Sequence, residues 1–139
     1  MSSFSDYLGK KMLDHAFGGE DYTRPANVYV GLSTTEPEDD GSNITEPVGG
    51  NYARVELDNN LIWDAAVINT NGIAEKENNE LIMFPEPTDN WGEITHFFLA
   101  DDSAEGNILG TGEMPSPTIV ENGDDPIVID KGSLKITLD

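Results

Sequence analysis

Cysteine is absent from the chain, which excludes disulfides, thiolate metal sites and cysteine nucleophiles together. Positive charge is nearly as scarce: 7 lysines and arginines stand against 27 aspartates and glutamates, for a net charge of −20. Such a surface repels polyanions, and phosphate binding needs clustered basic side chains, whereas Lys10–Lys11 is the only adjacent basic pair. Nucleic acid and anionic bilayers are therefore not expected as partners. Long apolar runs are missing as well. The stretch MSSFSDYLGKKMLDHAFGG has no basic leader followed by a continuous apolar segment, and no bilayer-spanning run is visible elsewhere. The expectation is a soluble chain made in a cytoplasm. At 139 residues, one domain over 1–139 is expected. The apolar content, 37%, is modest, so a partner is expected to complete part of the core.

What is present has a clear order. Residues 3–17 read as a helix, with Ser3 as its cap, Asp6 at a favourable N-terminal site and Gly18–Gly19 as the stop. Phe4, Leu8, Met12 and Ala16 recur every four residues, flanked by Tyr7, Leu13 and Phe17. After Arg24–Pro25 the period changes to two. Val28, Val30 and Leu32 alternate in NVYVGLS, and further strand candidates follow at 52–57, 61–63, 81–84, 94–100, 108–114, 118–120, 127–129 and 133–138. Turn-formers such as DDG, PVGGN, NTNG, PSP and ENGDDP separate them. The fold class this implies is mainly β: a single-domain β-sandwich or open barrel of about eight short antiparallel strands over 27–139, with one N-terminal amphipathic helix. Both faces of the 94–100 segment carry large apolar groups, which places it centrally, and the closing SLKITLD reads as an ordered strand.

The acidic loop between Leu32 and Tyr52 invites a metal reading. Counting from Glu36, Glu38, Asp40 and Gly41 occupy the third, fifth and sixth positions of a helix–loop–helix calcium loop, but the twelfth is Pro47 where a bidentate glutamate is needed. Solvated acids on a connection are the expected reading, for this loop and for Asp124–Asp125. His15 and His96 have no sequence-local metal partners, and no Gly-x-Ser-x-Gly elbow raises the odds of a serine hydrolase. Paired carboxylates for glycoside cleavage need a cleft with one acid in an apolar pocket, while the acids here sit in turns. Trp63 and Trp91 fit sugar platforms or strand anchors equally in chemistry, and anchors are the commoner use. No catalytic, cofactor-binding or metal residue is assigned, and no enzyme activity is expected.

Taken as a set, SSFSDYLGKKMLDHAFGG, VYVGLSTTEP, EPVGGNYARV, NWGEITHFFLAD and GSLKITLD resemble a family of small tailed-bacteriophage virion proteins, often labelled tail fibre proteins. Similar small β-domains serve as capsid decoration or cement proteins. The resemblance implies a virion structural protein. A decoration protein bound outside the capsid shell is the first expectation, and a tail-fibre or tail-tip component for host attachment is the alternative. The partners implied are the major capsid protein and copies of the chain itself, with a host surface receptor under the alternative. The residues expected to make contact are Phe4, Tyr7, Leu8, Met12 and Trp91, and Leu8→Asp is expected to weaken assembly more than folding. Arg54 is expected to be a structural cation for which many carboxylates compete.

Overall fold

The structure is a computed structural model and describes residues 2–138. In chain order the elements are β1 (Ser2–Phe4), α1 (Asp6–Phe17), β2 (Asn27–Ser33), β3 (Val55–Asp58), β4 (Val67–Ile68), β5 (Ala74–Glu77), β6 (Ile82–Met83), β7 (Gly92–Ala100), β8 (Ile108–Val120), β9 (Val128–Ile129) and β10 (Lys135–Leu138). Eight strands form one open sheet in the order β3-β2-β7-β8-β1-β10-β5-β4, and β6 pairs with β9 in a second, two-stranded sheet. The protein is mainly β with one N-terminal helix, as its residue pattern implies, and the large sheet does not close into a barrel.

The centre of the sheet follows from alternation. On one face Val30 stands opposite Leu99 and Leu32 opposite Phe97, all four buried. These side chains belong to one hydrophobic cluster that also takes Leu57 from β3, Leu109 and Val120 from β8, and Ile82 and Ile129 from the small sheet. On the other face Gly31 stands opposite Phe98. A β-carbon at Gly31 would fall 2.1 Å from the Phe98 ring, so the glycine is what lets that ring lie flat against β2. β7 is central, paired with β2 on one side and β8 on the other.

Several expectations shift in position. The helix begins at Asp6, because Ser5 rather than Ser3 is the cap: its hydroxyl accepts the Leu8 N–H at 3.1 Å and donates to the Ile108 carbonyl. Ser2–Phe4 form a strand instead, antiparallel to β8 and parallel to β10, so not every pairing is antiparallel. The segments 108–114 and 118–120 are one 13-residue strand, β8. PSP is not a turn but a bulge within it, for the register steps from Ile94↔Thr118 to His96↔Glu113. Two prolines that cannot donate to a ladder are accommodated where the ladder is interrupted. The 61–63 segment is not a strand: Leu61 and Ile62 close a turn on the Asp58 carbonyl, and only Trp63 makes an isolated bridge, to Asn78.

Candidate interaction surfaces

The acidic loop folds back on β2. Buried Ser33 organises it: its hydroxyl accepts the N–H groups of Thr35 and Thr45 and donates to the Thr35 carbonyl at 2.7 Å. The Asp39 carbonyl accepts the Asp6 N–H at 2.9 Å, which ties the loop to the free amides at the start of α1. Glu36, Glu38, Asp39 and Asp40 point outward and are exposed. The Ser42 side chain, and after it the Ser42 main-chain N–H, hold the Asp40 carboxyl below its ordinary value. Among the described residues no group of three or more His, Asp or Glu side chains is arranged to hold a metal ion.

Glu46 is the exception within the loop. Its carboxylate receives Arg54 through both nitrogens of a fork, Nε to Oε1 at 3.0 Å and Nη2 to Oε2 at 2.9 Å, and also the Tyr52 hydroxyl at 2.7 Å. The remaining Arg54 nitrogen donates to the carbonyls of Asp102 and Glu105, and the guanidinium lies 5.0 Å from the centre of the Phe98 ring. The Arg54 side chain is only 6% exposed. One cation thus ties two acidic loops to the sheet face that Gly31 leaves open, the structural role its scarcity implies. Burial, and after it the bond to Glu46, raises the Tyr52 pKa far above the ordinary tyrosine value.

The residues expected to make contacts divide. Phe4 lies in β1, half-buried between β8 and β10, and is not part of a helical stripe. Tyr7 and Leu8 pack against the hydrophobic cluster, and Met12 is half-buried. Trp91 is interior: it is 4% exposed, its indole donates to the Gly50 carbonyl at 2.8 Å, and its ring meets Tyr52 edge-on at 5.3 Å between centres. The positive backbone angles of Gly49, Gly50 and Asn51 let that turn approach the indole. His15 accepts the Tyr22 N–H at 3.0 Å through Nδ1, and His96 bonds Thr95; the two serve separate local contacts. Trp63 is anchored by its neighbour Asn59 at 2.8 Å.

The exposed apolar side chains lie elsewhere. On α1 they are Leu13, 62% exposed, and Phe17, 83% exposed, one turn apart on the helix side away from Leu8. Others cluster where β3 and β6 end their sheets, at Leu61, Leu81 and Met83. The spacing of Leu13 and Phe17 was visible in the sequence beside the Phe4–Leu8–Met12 stripe, but periodicity alone does not say which of two adjoining stripes turns inward. A family model described as Podophage GP4 fiber I protein gp80 matches residues 3–137 of the chain. No curated protein matches it.

Proposed function

The chain belongs to the family described as Podophage GP4 fiber I protein gp80, and from that premise we propose that it is a non-enzymatic structural component of a phage fibre, a folded module that joins neighbouring virion proteins. The observation that carries this reading is the family match, which spans the chain from residue 3 to residue 137. The distribution of side chains supports it. Arg54, Tyr52 and Glu46 satisfy one another inside the fold, while apolar groups at the free side of α1 stand in solvent and would gain by being covered in an assembly. The partners proposed are copies of the chain and adjoining virion proteins, with a host surface receptor at the fibre's far end. The fibre description weighs toward the tail and away from capsid decoration, which makes the same demands on the fold.

Immunogold labelling of purified virions, with mass-spectrometric copy number against the major shell protein, tests the proposal. Label confined to the tail region at a low copy number is expected. Label spread over the capsid, at a copy number close to that of the shell protein, would overturn the fibre reading in favour of decoration. Release of sugar reducing ends from host glycan by the purified chain would overturn the non-enzymatic part.

A further inference from the structure

The large sheet ends on β3, and the free side of that strand faces a cleft. The Asn59 N–H reaches the Ala26 carbonyl at 2.9 Å in the β2–β3 register. Antiparallel alternation then makes Leu57 and Val28 a hydrogen-bonded pair, so the main-chain N–H and C=O of Glu56 point away from β2. The small sheet repeats the situation. The Phe84 N–H bonds the Ile127 carbonyl at 2.9 Å, so Ile82 and Ile129 form the bonded pair and the main-chain groups of Met83 point away from β9. β3 and β6 wall one cleft of about 350 Å³. Its apolar lining includes Leu61, Leu81 and Met83, which are 71%, 49% and 56% exposed. Glu56, Asp58 and Glu80 line it too, and among the described residues no lysine or arginine does.

We propose that this cleft binds an extended segment of a different protein chain, added as a strand along β3. Its apolar side chains would cover Leu61, Leu81 and Met83, and alternate lysines or arginines would meet Glu56, Asp58 and Glu80. Strand addition uses the outward main-chain groups that an open edge presents, and side chains at alternate positions supply the selectivity. Charge decides the occupant. A second copy brings a further −20 to walls that are already acidic, whereas a basic segment finds carboxylates that no cation in the cleft neutralises. The inference does not depend on the fibre reading, because binding is measured on the isolated chain and virion location is not.

The test uses the full chain and two fluorescein-labelled ten-residue probes, one alternating lysine with valine and the other glutamate with valine. Fluorescence anisotropy is expected to show binding of the lysine peptide alone. Hydrogen exchange is expected to slow at the Glu56 and Met83 amides when it binds. Glu56→Lys with Glu80→Lys should weaken binding at least about tenfold, while Glu20→Lys with Glu93→Lys, which changes the net charge equally at exposed sites elsewhere, should leave it intact. Equal loss in the two double variants would reduce the effect to the overall field and overturn the proposal. So would equal binding of the glutamate peptide, protection at amides away from the cleft, or a free chain that dimerises through β3. The exchange measurement stands even if a double variant fails to fold.

Discussion

Arg54 joins segments far apart in the chain, reaching Glu46, the Phe98 ring and the carbonyls of Asp102 and Glu105 with a side chain almost wholly buried. Only a planar fork meets those four partners together, so lysine is not a conservative replacement. Arg54→Lys is expected to cost about 2–4 kcal/mol of folding stability, since it leaves a partly buried carboxylate and two carbonyls short of donors. Arg24→Lys, at an exposed bond to Asn60, should change the urea midpoint little; equal, small shifts for both variants would refute the assignment. Tyr52 supplies a pH test at the same site. Its folded pKa is raised, chiefly by burial and then by Glu46, so the folded state holds the phenolic proton more tightly than the unfolded chain. That stability is present in full below the ordinary tyrosine value of about 10 and is lost as pH rises from there toward the folded value. Absorbance at the phenolate band should therefore show one tyrosine that ionises only as the protein unfolds, and Tyr52→Phe should remove this step.

At the scale of the element, the helix separates two roles that its sequence merges. Leu8 packs on the hydrophobic cluster, while Phe17 stands 83% exposed. Leu8→Asp is therefore expected to lower stability by about 2–4 kcal/mol, and Phe17→Asp to stay within about 0.5 kcal/mol while impairing incorporation into virions. Thermal melts and assembly yields of the two variants check this; a Leu8→Asp chain as stable as the parent would refute the placement. Leu8 thus contributes to the chain's own packing, and the assembly yield of Leu8→Asp is to be compared with its loss of stability. The elements legible in the sequence were those with a period and a boundary: β2, β7 and the body of α1. β5 was not, because AEKE has no apolar alternation; cross-strand charge, Lys135 to Glu77 at 2.7 Å and to Glu75 at 3.5 Å, marks its place. β1 was hidden for another reason, since Ser2–Phe4 is a strand only by filling the space between β8 and β10. The Arg54 site was half legible: scarcity identified the cation, but its partners at Asp102 and Glu105 lie about fifty positions on. The β3–β6 cleft left no local trace, because two strand ends that are distant in sequence form its walls.

For the molecule as a whole, the accessible surface of 7968 Å² exceeds the roughly 7,100 Å² of a compact chain of this mass, as an open sheet with uncovered apolar groups requires. A net charge of −20 spread over that surface repels itself. Raising salt from about 0.02 M to 0.5 M shortens the screening length from about 20 Å to about 4 Å, so Tm is expected to rise by several degrees with NaCl. A Tm that falls or stays level would mean that attractive pairs such as Glu46–Arg54 outweigh the repulsion. The place of β1 has a consequence in time. It lies between β8 and β10, with Ser2 beside Ile136 and Ser3 beside Thr111 and Thr137. During synthesis residues 2–4 emerge long before either neighbour exists; β8 becomes available first, and the second side of β1 stays open until 135–138 leave the ribosome. This part of the sheet is thus completed by pairing residues far apart in sequence, and the long loop that must close makes it a slow step.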